Sequence, residues 1–210
     1  MNDHPHTERI DWLGHASFRL RGSVIIYIDP WKLSTAPRDG NLILVTHNHY
    51  DHYSPQDIHK AALANATVVV PKSIRQKVDW PKVVALAPGE STTINGVRIA
   101  AVPAYNTNKD YHPRGEGWVG YIITLDGVRI YHAGDTDLIP EMRDVECDVA
   151  LLPISGTYVM TATEAIQAAE LVSAKAAIPM HWGDIIGDDA DARVFKEGAP
   201  CEVVIKEPVG

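Results

Sequence analysis

The stretch "THNHYDH", Thr46 to His52, places three histidines and an aspartate within seven residues, directly after the apolar run "LILV". Imidazole and carboxylate groups are common ligands of transition metals in proteins. A polar surface loop with incidental histidines is the alternative interpretation. The density of ligand types in one short segment favours a metal site, so the remaining ligands must be sought elsewhere in the chain.

The spacing within this segment indicates two directions of approach. His47 and His49 are two residues apart, and side chains at positions i and i+2 of an extended segment point the same way. Both imidazoles can therefore reach one metal ion. Asp51 and His52 follow after the chain has begun to turn, so their side chains can point toward a different position from those of His47 and His49. The helical H-E-x-x-H zinc motif instead places its histidines four residues apart.

Three residues later in the chain are further candidate metal ligands. Asp135 in "YHAGDTD" follows the strand-like run "GVRIY", and Gly134 before it allows close approach of the backbone. His181 follows the apolar run "AAIP" in the same way. His112 lies in "NTNKDYHPRGEGWVGY", a loop without regular periodicity. All three are candidate ligands.

Short apolar runs rich in β-branched residues predict several strands, among them "VIIYID", "NLILV", "TVVVP" and "DVALLPIS". Asn95-Gly96 and Asp126-Gly127 each separate two such runs, which predicts tight hairpin turns. The chain therefore supplies antiparallel hairpins as well as strands that need longer connections.

Helices are predicted between other strands. "SPQDIHKAALANA" begins with a cap residue, Ser54, and "TATEAIQAAELVSA" has Thr161 and Glu164 at the spacing of a capping box. Residues 139–143 predict a further short helix. In each half, hairpins come first and strand–helix alternation follows. This order predicts an α/β fold in which two mixed β-sheets pack face to face with helices outside, formed by residues 1–210 as a single domain.

Composition limits the classes of partner. The 210 residues are 45% hydrophobic and 22% charged, which suits a domain with a substantial core. The net charge of -8 opposes nonspecific attraction to nucleic acid or anionic membrane, and no run is apolar and long enough to span a bilayer. We expect a small-molecule substrate, no long nucleic acid and no membrane partner. Assembly into a homo-oligomer is compatible with the composition.

The expected location is the cytoplasm. The segment "MNDHPHTERI" lacks the apolar stretch of a secretory signal. Cys147 and Cys201 lie outside any C-x-x-C pair, so neither a structural zinc site nor a redox dithiol is indicated. We expect both thiols to be free and reduced.

Several motifs together resemble the metallo-β-lactamase superfamily. "HNHYDH" matches its H-x-H-x-D-H motif, "GDTD" resembles its bridging-aspartate segment, and "PMHWGD" resembles its last histidine segment. "WLGHASF" and "IYHAGDTDLIPEM" are similar to a branch of small metal-dependent hydrolases related to ascorbate-6-phosphate lactonases. The resemblance runs from about Trp12 to Asp184. It implies a four-layer αβ/βα sandwich with the site at one edge of the two sheets.

The resemblance also implies two adjacent divalent metal ions, with zinc expected first and manganese, iron or nickel as alternatives. The implied ligands are His47, His49 and His112 for the first ion, Asp51, His52 and His181 for the second, and Asp135 as the bridge. Two such ions lower the pKa of a water between them. Asp51 would act in catalysis by orienting that water.

One position departs from the family pattern. Many members carry the third histidine directly after the strand, where "VPAYN" places Asn106. An amide is a poor ligand for zinc, and borderline metals prefer imidazole. His112 is the nearby imidazole and is therefore assigned to the first ion. An incomplete first site is the alternative.

Three other residues have two interpretations each, and a fourth, Tyr158, has one. His15, in the glycine turn "LGHAS", is either a hydrogen-bond donor or substrate contact at the site or an ordinary turn histidine. Lys109 and Arg114 either hold an anionic substrate group or are simply solvated. Tyr158 is a candidate for the wall of the pocket.

The leading functional hypothesis is an enzyme, a metal-dependent hydrolase in which a water activated by two metals attacks a small ester, lactone or phosphoester. Phosphodiesterase or nuclease activity is the alternative among enzymes, although the acidic balance counts against long nucleic acid. A metal-binding protein without hydrolytic activity is the alternative of a different class. The same ligand types would also suit a redox di-iron site.

Overall fold

A computed structural model describes residues 6–209. Within this range the chain forms two mixed β-sheets. The first has six strands in chain order: β1 Ile10–Gly14, β2 Ser17–Arg21, β3 Ile25–Ile28, β4 Gly40–Leu44, β5 Ala62–Pro71 and β6 Val83–Leu86. The second has seven: β7 Ser91–Ile94, β8 Val97–Pro103, β9 Val119–Leu125, β10 Val128–His132, β11 Val149–Pro153, β12 Ala176–Met180 and β13 Glu202–Val203. Its spatial order is β13-β12-β11-β10-β9-β8-β7.

Helices cover the outer faces of the sheets. The α-helices are α1 Pro55–Ala61, α2 Ala162–Leu171 and α3 Asp189–Gly198. Short 3₁₀ helices span Thr7–Arg9, Lys72–Lys77, Arg114–Glu116 and Pro140–Asp144. Helix α1 packs against β4 and β5, whereas α2 packs against β11 and α3. None of the helices within residues 6–209 has the length and apolar character needed to cross a bilayer.

Strand β4 shows how the sheets share the core. Leu42 and Leu44 lie in the main apolar cluster together with Tyr121 of the second sheet. Ile43 and Val45 lie in the other cluster, which includes residues of helix α1. Successive side chains of a strand point to opposite faces. Because both faces of β4 are covered, the run "LILV" is apolar throughout instead of alternating.

The topology brings several loops to one edge. Strands β3, β4 and β5 are parallel in the first sheet, and β10, β11 and β12 are parallel in the second. The carboxyl ends of parallel neighbours meet at the same edge of a sheet. The loops that carry the predicted ligands follow β4, β8, β10 and β12. Strand β8 runs in the same direction as β10, because both are antiparallel to β9, so the fold collects all four loops at this edge.

Both predicted hairpins are confirmed. Asn95-Gly96 joins antiparallel β7 and β8, and Asp126-Gly127 joins antiparallel β9 and β10. All four turn residues have φ between 50° and 82°. Two consecutive residues in this left-handed region form the turn that matches the twist of a two-stranded hairpin.

The helix predictions need correction at three places. The helix expected to continue from Ser54 through "ALANA" ends at Ala61, because Ala62–Pro71 forms β5 beside β4. The short helix expected at residues 139–143 is the 3₁₀ helix Pro140–Asp144. Helix α3 was not predicted, although Asp188 and Asp191 form a capping box at its start.

Candidate metal centre

All seven predicted ligands converge at the shared edge of the two sheets. They form three sets in which the ligand atoms lie within 4.8 Å of one another. The sets are His47, His49 and His112; His15, Asp51, His52 and His181; and His47, His52 and Asp135. The first set matches the group implied for one ion, and the second contains the group implied for the other ion with His15 added.

Asp135 lies between the imidazoles of the first two sets. Its Oδ2 is 3.2 Å from Nε2 of His112 and 3.0 Å from Nε2 of His181. It is also 4.0 Å from Nε2 of His47, while Oδ1 is 3.4 Å from Nε2 of His52. One carboxylate thus faces nitrogen atoms of both sets, which is the position required of a bridging ligand.

Buried Asp29 fixes the base of the histidine-rich loop. It follows β3 and accepts hydrogen bonds from the backbone N–H of Thr46 at 2.8 Å and from Oγ1 of Thr46 at 2.6 Å. Its Oδ2 is also 2.8 Å from Nδ1 of His52. Oγ1 of Thr46 in turn lies 2.9 Å from Nδ1 of His47. Because both Nδ1 atoms are engaged, the Nε2 atoms of His47 and His52 remain directed toward Asp135.

Asn106 supports His112 with its side-chain amide. Its Oδ1 accepts a hydrogen bond from the backbone N–H of His112 at 2.9 Å and lies 3.1 Å from Nδ1 of the same residue. Its Nδ2 donates to Oδ1 of Asp137 at 3.0 Å and to the carbonyl of Tyr158 at 2.9 Å. The structure therefore brings His112 to the centre and places the amide behind it.

His15 contacts two of the predicted ligands, Asp51 and His181. Its Nε2 is 3.0 Å from Oδ2 of Asp51, and its ring centroid is 3.9 Å from that of His181. The backbone N–H of His181 donates to the carbonyl of His15 at 2.9 Å. His15 and His181 have φ values of 51° and 58°. Non-glycine residues in this region tend to cluster at functional sites.

Burial and charge set the protonation of the histidines. Burial lowers the pKa of His47 well below the usual range and lowers that of His49. Burial also acts to lower the pKa of His52, but Asp135 and Asp29 outweigh it and raise that pKa well above the usual range. Neutral imidazole is the form that binds metal, so a metal ion at His52 competes with a proton.

The carboxylates are held ionised. Burial alone would raise the pKa of Asp135, yet His181 and His52 hold it well below the usual range. Burial likewise acts to raise the pKa of Asp51, but the hydrogen bond from His15 and the nearby His52 bring it to about 2. Both side chains are therefore available as anionic ligands.

Several polar atoms at the centre lack a protein partner. Nε2 of His52, Nε2 of His112 and Oδ1 of Asp135 are buried without a hydrogen-bond partner among the described residues. Leaving a buried polar atom unsatisfied costs about 1–3 kcal/mol. Metal ions between the imidazole sets would satisfy these atoms, and imidazole with carboxylate is a donor set suited to divalent transition metals.

The centre opens on one side into a cavity of about 250 Å³. The lining residues are His49, Tyr50, Asp51, Tyr111, His112, Asp135, Tyr158, His181 and Ile185. The indole of Trp118 packs against His47 and His49, with ring centroids 4.9 and 4.8 Å apart. Trp118 is buried and does not line the cavity, whereas five of the predicted ligands do.

Comparison with known proteins identifies the family. Residues 9–181 match the beta-lactamase superfamily domain. The chain belongs to this superfamily. The UPF0173 metal-dependent hydrolase of Thermococcus kodakarensis is 38% identical over 219 residues, which cover 95% of this chain and 96% of that relative. The motif-based prediction of the superfamily is thereby confirmed, while kinship with ascorbate-6-phosphate lactonases stays a prediction.

Two solved structures share the architecture. A proposed metal-dependent hydrolase from Parabacteroides distasonis has 33% identity and a TM-score of 0.81, with 94% of this chain and 92% of that chain covered. Igni18, described as a novel metallo hydrolase from Ignicoccus hospitalis, has 27% identity and a TM-score of 0.78, with coverage of 96% and 95%. The predicted α/β sandwich of two mixed sheets is confirmed.

Two supporting residues and one supporting contact of this superfamily member were not found from its sequence. They are Asp29, Asp137 and the pairing of Asn106 with His112. Asp29 ends the strand-like run "VIIYID" and Asp137 belongs to "GDTD", so a polar residue after a buried strand was the available signal. Their partners could not be read from spacing, since Asp137 and Asn106 are 31 residues apart.

Proposed function

We propose that this chain is a metal-dependent hydrolase that uses two divalent ions to cleave a small ester, lactone or phosphoester. The observation that carries the proposal is the convergence of six ligand side chains around the seventh, the buried carboxylate of Asp135, beside a cavity. The first ion would be held by His47, His49 and His112, the second by Asp51, His52 and His181, and both by Asp135.

Each supporting contact has a role in this proposal. Divalent ions would lower the pKa of a water and polarise the carbonyl or phosphoryl oxygen of the substrate. Asp29 and Asn106 engage Nδ1 of His52 and of His112, which leaves Nε2 of each ring to bind an ion. His15 holds one oxygen of Asp51. The other oxygen of this ionised carboxylate is left to accept a hydrogen bond from the attacking water and orient it.

Zinc is the first choice of metal, because an imidazole-rich set with carboxylates suits it. Manganese, iron and nickel are the alternatives. The cavity beside the ligands favours a reactive centre, since structural zinc sites are closed by their protein ligands.

The test begins with protein purified without added metal, stripped with a chelator and reloaded separately with each of the four metals. We expect two ions per chain and hydrolysis of at least one class in a panel of lactones, aryl esters and phosphodiesters. Asp135→Ala serves as the matched variant that should lose at least one ion. Binding of a single ion in the wild type would contradict the dinuclear site, and a fully loaded wild type inactive on the whole panel would favour a non-catalytic metal-binding protein.

A further inference from the structure

Exposed apolar side chains are concentrated at the mouth of the cavity. Within residues 6–209, five large apolar residues are exposed, and three of them line this cavity: Tyr50 at 69%, Tyr111 at 50% and Ile185 at 36%. Tyr158 packs edge-on against Tyr111 at 4.7 Å, and Trp31 packs edge-on against Tyr50 at 6.1 Å. Clustered exposed apolar surface marks a place where a ligand or partner is bound.

The two cations considered from the sequence are engaged elsewhere. Nζ of Lys109 lies 2.5 Å from Oδ1 of Asp137, and Arg114 donates to Glu141 at 2.8 Å. Asp137 is buried, and breaking a buried ion pair leaves an uncompensated charge. Lys109 is therefore committed to holding the loop. Arg114 is exposed, but it is paired with Glu141, and neither Lys109 nor Arg114 lines the cavity.

The other side of the mouth offers no free cation either. Lys32 stacks over Trp31 at 4.2 Å and donates to Asp184 at 2.8 Å. Among the residues that the structure describes, the lining of the cavity includes no lysine or arginine. A phosphate or carboxylate on the outer part of a substrate would thus meet tyrosine and isoleucine side chains instead of a cation.

We propose that the substrate is an uncharged ester or lactone that carries no phosphate or carboxylate group. Its apolar substituent packs against Tyr50, Tyr111, Tyr158 and Ile185. This inference rests on the proposed hydrolase function. Water oxygen forms a bond to the acyl carbon, the acyl C–O bond breaks, and the leaving oxygen takes a proton from the water. The products are an acid and an alcohol from an ester, and a single hydroxy acid from a lactone. The cavity of about 250 Å³ is small for a ligand site, which suits a small substrate.

The experiment uses the metal-loaded full chain and three aryl esters: phenyl acetate, 4-methylphenyl acetate and 4-carboxyphenyl acetate. Each kcat/KM is divided by the rate of hydrolysis by hydroxide, so that differences in leaving-group reactivity cancel. We expect the two neutral esters to exceed the carboxylate by about tenfold or more, because the charge would lose water without gaining a partner. An equal or faster rate for the carboxylate would overturn the inference while leaving the hydrolase function intact, as would hydrolysis of phosphodiesters alone.

Substitutions test whether the apolar residues at the mouth of the cavity, here called the rim, bind the aryl group of the substrate. Tyr111→Ala should raise KM for 4-methylphenyl acetate by roughly tenfold with little change in kcat, and Tyr111→Phe should retain most of the affinity. Val194→Ala is the matched control, since Val194 is exposed on α3 and does not line the cavity. An unchanged KM in Tyr111→Ala would contradict the assignment of the rim.

A binding measurement separates this inference from the proposed function. Acetanilide and 4-acetamidobenzoate are slowly hydrolysed amides that differ by one carboxylate, and their binding is measured by isothermal titration. If no lactone, ester or phosphodiester of the panel is hydrolysed, the proposed function fails. The assignment of the rim as a surface that binds neutral apolar groups then stands only if acetanilide binds more tightly than 4-acetamidobenzoate and Tyr111→Ala weakens the binding of acetanilide. Equal binding, or no binding of either amide, would overturn it.

Discussion

Asp51 and Asp135 are the two carboxylates of the centre, and their surroundings differ. Asp135 faces nitrogen atoms of both imidazole sets. Asp51 is 3.0 Å from His15 and 3.7 Å from Nε2 of His52. The first carboxylate would neutralise both ions, whereas the second would contact one ion and the water.

Asp51→Asn should retain part of the metal yet lower turnover per bound ion by about a hundredfold or more, the range typical for removal of a positioned acid–base group. The amide keeps the size and one acceptor oxygen but removes the negative charge. Metal content per chain and kcat on the best substrate of the panel check this result. Asp135→Ala is the comparison and should lose at least one ion together with all activity. Equal turnover per bound ion in wild type and Asp51→Asn would show that Asp51 has no part in the chemistry.

Asn106 gives a second test at a single residue. Asn106→Leu keeps a similar volume but removes the acceptor for Nδ1 of His112 and the donor to Asp137. Loss of such an outer contact typically costs about 10–100-fold in metal affinity. We expect the affinity of one ion to fall by this amount in a competition titration while the other ion is retained. Asn108→Ala, in the same loop, is the control, and equal affinities in the two variants would contradict the role of Asn106.

Among the elements, helix α2 is where local sequence determines structure most directly. Oγ1 of Thr161 accepts from the backbone N–H of Glu164 at 3.2 Å, and Glu164 Oε2 accepts from the backbone N–H of Thr161 at 2.7 Å. Thr161→Ala should lower the free energy of unfolding by about 1 kcal/mol, whereas Thr161→Ser should restore most of it. Chemical denaturation checks the difference. Metal content should not change, and loss of metal in the alanine variant would show that the cap also supports the centre.

The elements that could be predicted are those determined by neighbouring residues. The hairpins at Asn95-Gly96 and Asp126-Gly127 and the capping box of α2 depend on a few adjacent side chains. The helix expected through "ALANA" was wrong because alanine favours helix locally, but residues 62–71 gain hydrogen bonds to β4 and bury Val68 and Val70. Tertiary pairing thus overrides the local preference.

At the scale of the whole molecule, the sequence predicted which ligand types follow which strands but not how the supports connect. His47 and His181 could be selected because each follows a predicted buried strand. The contact of His15 with Asp51 spans 36 residues and depends on strands β1 and β4 lying in the same sheet. Since spatial strand order is set by long-range packing, neither this contact nor the link from Asn106 to Asp137 follows from spacing along the chain.

Removal of metal tests the whole molecule. The centre gathers side chains from loops of both sheets, so ions bound there would link the two sheets in the folded state and lose these ligands on unfolding. A ligand at about 100 times its Kd stabilises the folded state by about 2.7 kcal/mol. For a chain of this length, that corresponds to a rise in Tm of roughly 5–10 °C.

We expect chelation to lower Tm by this amount and to abolish activity, and reloading with Zn²⁺ or Mn²⁺ to restore both. The metal-free chain should still unfold cooperatively, because its two apolar clusters are built without the centre. Asp135→Ala should show a smaller dependence of Tm on added metal. Identical melting curves for the stripped and the loaded wild type would contradict metal binding at the edge of the two sheets.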